Sequence, residues 1–99
     1  MYFQAENGAW ADETFGPSLS PDSTIAHLKK EVEELVADPS NVTEYADCMI
    51  LLIDAARRVG ITMDLLLDHC WAKLEINIRR KWGPPDKDGI IEHIKEEGK

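Results

Sequence analysis

Ser23-Thr-Ile-Ala-His-Leu-Lys-Lys-Glu-Val-Glu-Glu-Leu-Val-Ala37, then Asp38-Pro-Ser-Asn41, then Val42-Thr-Glu-Tyr-Ala-Asp-Cys-Met-Ile-Leu-Leu-Ile-Asp-Ala-Ala-Arg-Arg58 reads as two helices joined by a short turn. In the first, Ile25, Leu28, Val32, Leu35 and Val36 fall on one stripe, the 3.6-residue period of an amphipathic helix. Ser23, after Pro21 and Asp22, is the expected cap. Asp38 precedes a proline and is pushed out of helical geometry. The second helix, over residues 42–59, has Asn41 as its expected cap and Gly60 as its stop. It is apolar almost all round, which predicts a buried central helix, and Arg57 and Arg58 sit favourably at its carboxyl end.

Each of these helices carries a pair of acids at i,i+3 spacing, Glu31-x-x-Glu34 and Glu44-x-x-Asp47. That spacing places both members of a pair on one helix face. Glu31 and Glu34 alone would read equally well as solvated surface acids, as Glu33 does. Glu44 has a second reading, because at the third helical position it can reach back to the backbone N–H of the Asn41 cap. Asp47 has none: it lies a full turn inside the helix, at the mouth of the run Cys48-Met-Ile-Leu-Leu-Ile53, where unpaired charge is expensive. Four carboxylates converging from two helices predict a cage of hard oxygen ligands for Mg²⁺ or Mn²⁺. His27 is one turn before Glu31, and Asp54 is expected to pair with Arg58, one turn beyond it, outside the ligand set.

Outward from this pair, a third helix is expected from after Thr62 to about residue 81, with Met63, Leu67, Leu74 and Ile78 on one stripe and Leu65, Ala72 and Ile76 on another. Lys73, Asn77 and Arg80 lie between the stripes, so they are expected to face protein rather than bulk water. A lysine stem lying over apolar surface is the plain reading; beside a carboxylate cage, donors for phosphate oxygens fit better. Residues 1–21 contain Gly8, Gly16, Pro17 and Pro21 and show no clear period, which predicts an extended arm ahead of a helical domain over residues 22–99. The tail is expected to be a polar loop over 86–89 and a short amphipathic helix near residues 90–96. No strand is expected. Trp71 falls on a core stripe, whereas Trp10, Phe15 and Trp82 stand where periodic packing does not need an aromatic; they serve either to stack on a nucleobase or to anchor the arm.

The 99 residues suffice for one domain whose single core is marginal without a partner copy. With 43% hydrophobic and 30% charged residues the chain should fold rather than stay disordered. A net charge of −8 argues against a nucleic acid polymer as partner. No run of eighteen apolar residues and no signal-peptide pattern is present, and Cys48 and Cys70, both within helical patterns, read as reduced core thiols. Together these predict a cytoplasmic protein with no membrane partner. His27, His69 and His93 lack zinc-ligand spacing.

The order ExxE, short turn, ExxD, then Lys-x-x-x-Asn on the next helix resembles the MazG-like, all-α nucleoside triphosphate pyrophosphohydrolases. The flanks Thr14-Phe-Gly-Pro17, His27-Leu-Lys-Lys-Glu31, Glu44-Tyr-Ala-Asp47, Lys73-Leu-Glu-Ile-Asn77, Arg80-Lys-Trp82, Pro85-Asp-Lys-Asp-Gly89 and Glu92-His-Ile94 narrow it to the dATP/dGTP branch, which includes phage MazZ-type proteins. The likeness covers residues 14–94. It implies a bundle of three main helices plus a short C-terminal helix, completed by assembly into a homodimer or homotetramer. It implies two to three Mg²⁺ or Mn²⁺ ions on Glu31, Glu34, Glu44 and Asp47. The implied reaction cleaves dGTP or dATP between the α and β phosphates, releasing a monophosphate and pyrophosphate. Glu31 or Glu34 would then be the general base, and Lys73, Asn77 and Arg80 would hold the phosphates. Trp10, Phe15 and Trp82 would contact the base. For a phage-encoded member the compartment would be the host cytoplasm. Two rival readings stay open at this point: a MazG-like enzyme of pyrimidine or broad specificity, and a non-catalytic helical module with a structural cation.

Overall fold

A computed structural model of the chain describes residues 3–95. Four helices follow in order: α1 (Phe3–Phe15), α2 (Pro21–Ala37), α3 (Val42–Arg58) and α4 (Met63–Arg79). Among the described residues the only β feature is an isolated antiparallel bridge between Trp82 and His93. The all-α expectation is met, with a different fourth helix. The chain divides into two compact units, Met1–Leu65 and Leu66–Lys99, the boundary falling inside the first turn of α4.

In the first unit α2 and α3 form an antiparallel hairpin whose turn is fixed by side chains. The Asn41 backbone N–H donates to the Asp38 carbonyl at 3.1 Å. Its side-chain N–H donates to the Asp38 carboxylate at 3.0 Å, and its Oδ1 caps Thr43 N–H at 2.9 Å. The Tyr45 hydroxyl donates to the Pro39 carbonyl at 2.8 Å, closing the turn from the other side. Asn41 is thus the cap the sequence predicts. For α2 the cap is Ser20, not Ser23: the Ser20 hydroxyl accepts from Ser23 N–H at 3.3 Å and Pro21 occupies the first helical position. A proline there loses nothing, since its missing N–H would be an orphan anyway. At the far end of α3, Ile61 N–H reaches back to the Ala56 carbonyl at 2.9 Å and Gly60 takes φ +82°, a Schellman stop that needs glycine's freedom.

Residues 3–15 are helical, which corrects the extended arm. The reason lies in what α1 buries: Gly8 and Ala11 only, neither of which gives a hydrophobic period. Polar side chains attach it instead. Gln4 donates to the Ile61 carbonyl at 2.9 Å and accepts from Met63 N–H at 3.0 Å; Asn7 donates to the Ile50 carbonyl at 3.3 Å. Arg57 then clasps Asp12, Nη2 to Oδ1 at 2.8 Å and Nη1 to Oδ2 at 3.3 Å. Asp54, buried on α3, accepts from Arg57 Nε and Arg58 Nε, each at 2.9 Å. Arg58 continues to the carbonyls of Gly16 and Leu19 at 3.1 and 3.2 Å, tying down the α1–α2 connection. The expected Asp54–Arg58 pair is therefore present, as part of a larger network.

Among the described residues the buried apolar core is small: Ala11, Leu51, Ile53 and Ala55. α3 is buried on one side only, with Met49 and Leu52 more than half exposed, so the expectation of a helix covered all round is not met within one chain. Trp71, expected in the core, is 69% exposed. In the second unit the chain beyond α4 doubles back. Gly83 N–H donates to the Glu92 carbonyl at 2.9 Å and Ile94 N–H to the Lys81 carbonyl at 2.7 Å. Asp86 Oδ1 accepts from Asp88 and Ile90 N–H at the reversal, where Gly89 takes φ +80°. These cross-pairings replace the helix expected near residues 90–96; its last position, Glu96, lies outside the described residues. Pro84 and Pro85 bar a helix from running through, and the bridge takes up backbone groups a new helix would need.

Asp54 holds two guanidinium groups in a buried setting, where losing one partner strands charge. Asp54→Ala should lower unfolding stability by about 3–5 kcal/mol, read as a fall in urea midpoint, whereas Asp22→Ala on the exposed first turn of α2 should change little.

Candidate active site

The α2–α3 turn is what makes a site out of two acidic helices. It sets the chains antiparallel so that the last half of α2 faces the first half of α3, and the two i,i+3 pairs meet. Ligand oxygens of Glu31, Glu44 and Asp47 all lie within 4.8 Å of one another. Glu34, more exposed, hydrogen-bonds Glu31 across its own helix face, and this contact followed by the charge of Glu31 raises the Glu34 carboxyl above the ordinary glutamate range. Glu44 is raised as well, first by burial and then by the charges of Glu34, Asp47 and Asp38. His27 Nε2 stands 3.3 Å from Glu31 Oε1.

Glu44 is the acid of this group left least satisfied. The capping role open to it is not taken, because the Asn41 N–H is already bound to Asp38. One Glu44 oxygen, Oε2, is buried with no hydrogen-bond partner among the described residues. A buried anionic oxygen without a donor, pressed by three further carboxylates, is unstable as it stands. A divalent cation with a preference for hard oxygen donors relieves both defects at once, so this donor set fits Mg²⁺ or Mn²⁺.

Beside the carboxylates opens a cavity of about 430 Å³, within the range of small-ligand pockets. Glu31, Asp47 and Asp54 line its acidic side; Trp10, Phe15 and Asn7 from α1 line the other. Phe15 stands edge-on to Trp10, ring centroids 5.3 Å apart, and edge-on to His27 at 6.5 Å. Both aromatics remain about half exposed, so neither is consumed by packing. Asn7 is a residue the sequence reading missed. Its signal was only its place one helical turn before Trp10, visible once α1 is recognised as a helix.

Lys73, Asn77, Arg80 and Trp82 belong to the second unit. There Arg80 Nη1 donates to Asn77 Oδ1 at 3.2 Å, and the Trp82 indole N–H donates to the Asn77 carbonyl at 2.9 Å. Trp82 also stands edge-on to His93, with centroids 6.0 Å apart. Lys73 is exposed and Asn77 half-buried, so the expectation that this row faces protein is not met for Lys73 in a single chain. Arg79, Arg80, Lys81 and Lys95 line a cavity of about 740 Å³ in this unit, a local cationic patch in a chain of net charge −8. Both cysteines are free thiols, as expected, but Cys70 is exposed and Cys48 only half-buried, which corrects their placement in the core: α4 buries no residue within one chain. Among the described residues no helix is long and apolar enough to cross a membrane.

Three comparisons bear on this arrangement. The chain is 45% identical over 93 residues to the Eaa protein of Salmonella phage P22, spanning 29% of that protein's length. It is 37% identical over 93 residues to a dATP/dGTP diphosphohydrolase of cyanophage S-2L, covering 92% of this chain and 84% of the relative. Its fold matches a solved cyanophage S-2L MazG-like pyrophosphohydrolase with a TM-score of 0.77 and 36% identity, over 93% of each chain; that structure holds dGDP and three catalytic Mn²⁺ ions per active site. The model of the dATP/dGTP pyrophosphohydrolase family matches residues 3–99, and the chain belongs to that family.

Proposed function

We propose that this chain hydrolyses purine deoxynucleoside triphosphates, dGTP or dATP, between the α and β phosphates, giving a deoxynucleoside monophosphate and pyrophosphate. The observation that carries this reading is the meeting of Glu31, Glu44 and Asp47 within 4.8 Å beside a cavity walled by Trp10 and Phe15. Two or three Mg²⁺ or Mn²⁺ ions, when bound, supply charge neutralisation and polarise the phosphate oxygens. Glu31, Glu34, Glu44 and Asp47 are the residues that would hold them.

The chain's own groups then have distinct tasks. Glu31 or Glu34 takes the proton of the attacking water, and the contact between the two holds the Glu34 carboxyl above its ordinary range. The water oxygen attacks the α-phosphorus as its bond to the α–β bridging oxygen breaks, and pyrophosphate leaves. Trp10 and Phe15 stack on the purine, and Asn7 lies at the same wall to meet its polar edge. Lys73, Asn77 and Arg80 are the proposed donors to the phosphate chain, with Trp82 a further candidate for the base. We assign the working form to a homodimer or homotetramer. Met49, Leu52, Leu67, Trp71 and Ile78 leave apolar surface exposed on α3 and α4 that a second copy would bury. A cytoplasmic setting, the host's for a phage-encoded chain, supplies the triphosphate.

Two outcomes are expected. In metal-free protein, Glu44→Gln should raise the thermal midpoint because it removes a buried, repelled charge; Mg²⁺ or Mn²⁺ should raise the midpoint of wild type by several degrees and that of the variant far less. Incubated with each dNTP and Mn²⁺, wild type should release monophosphate and pyrophosphate from the purines, and Asp47→Asn should abolish release while keeping its helical circular dichroism. Turnover of Asp47→Asn within about threefold of wild type would overturn the assignment; equal cleavage of pyrimidines would replace the purine reading with a broad one.

A further inference from the structure

The aromatic wall of the cavity stands on a helix that is weakly anchored by apolar burial. α1 buries only Gly8 and Ala11, while Trp10 and Phe15 are 53% and 43% exposed. Something else must fix where those rings stand. The Arg57 side chain leaves α3, passes across α1 at Gly8 and closes on Asp12 with two bonds, of 2.8 and 3.3 Å. The passage is tight: a Cβ at Gly8 would come within 2.5 Å of both Cδ and Nε of Arg57. Glycine inside a helix is disfavoured relative to alanine, and the close crossing accounts for it here. The Nε edge of the same guanidinium is held by buried Asp54, Nε to Oδ1 at 2.9 Å, so the arginine is itself fixed in place. Arg57 also holds the Asp12 carboxyl below its ordinary range, keeping the pair ionised.

We propose that Gly8, Arg57 and Asp12 form a latch that positions Trp10 and Phe15 and thereby sets purine selectivity, resting on the reading of the cavity as the nucleobase site. Asp12 lies between Trp10 and Phe15 in the same helix, so a clasp at Asp12 fixes the azimuth of α1 and with it both rings. None of the three residues lines the cavity; they are positioning residues. Loosening the latch lets the wall recede, which weakens the hold on a two-ring base more than on a one-ring base and leaves the carboxylates on α2 and α3 undisturbed.

The experiment is steady-state kinetics with all four dNTPs and Mn²⁺ on wild type, Asp12→Asn, Asp12→Glu and Gly8→Ala. Asp12→Asn and Gly8→Ala should raise KM for purine substrates roughly tenfold with kcat within about twofold, and should lower the purine-to-pyrimidine ratio of kcat/KM at least about fivefold. Asp12→Glu, which keeps the carboxylate, should recover most of the KM. Gly8→Ala removes no charge and favours helix formation in α1, so it decides the matter even if Asp12→Asn folds poorly. Unchanged KM and selectivity in Gly8→Ala and Asp12→Asn, with wild type active, overturns the latch alone. A wild type that cleaves none of the four substrates overturns the nucleobase site and the latch with it.

Discussion

Asp54 is the constraint on which the first unit depends. One buried carboxylate binds two arginines that follow one another in the next turn of α3, and each arginine then leaves in its own direction. Arg57 reaches α1; Arg58 reaches the connection between α1 and α2. Among the described residues the buried apolar side chains number four, and this one acid ties together three elements that they alone hold weakly. Ionic cores of this kind bring little net stability, because desolvation offsets most of the attraction. Their value is geometric: guanidinium groups bonded in fixed forks leave few alternative arrangements.

The acidic site follows the opposite logic. Where Asp54 is satisfied, Glu44 is left with a buried oxygen that nothing in the described chain serves. The turn enforces this. By directing the Asn41 N–H to Asp38 it withholds the capping donor from Glu44, and by holding α2 against α3 it keeps Glu31, Glu44 and Asp47 within 4.8 Å of one another. Two acidic sites about two helical turns apart on α3 thus differ in kind, the one at Asp54 completed by arginines and the one at Glu44 and Asp47 open to cations.

How much of this the sequence disclosed depended on whether burial was carried by large apolar side chains. α2, α3 and α4 have such stripes and were legible to within a few residues, as were the Asn41 cap, the Gly60 stop and the Asp54–Arg58 pair. The convergence of Glu31, Glu44 and Asp47 followed from spacing plus a short turn. α1 was illegible because glycine and alanine are what it buries, and its attachments, from Gln4, Asn7 and Asp12, are polar residues that read as solvent-facing. With α1 hidden, Asn7 could not be placed beside Trp10. The tail misled for another reason: residues 90–94 have an amphipathic pattern, but backbone pairing across Pro84 and Pro85 overrides it. The exposed Trp71 and Met49 mark where periodicity found an apolar face correctly and could not say that one chain does not cover it.

An attachment made of hydrogen bonds and ion pairs has a thermodynamic character of its own. Detaching α1 uncovers far less hydrocarbon than global unfolding does, so the event carries a smaller change in heat capacity and a weaker dependence on urea. It should therefore appear in native-state hydrogen exchange as a separate sub-global opening, less sensitive to denaturant than global unfolding and responsive to ionic strength. The α2–α3 hairpin, and with it the acidic cluster, would persist through such openings. The aromatic wall and the carboxylate floor of one cavity would then fluctuate on different scales.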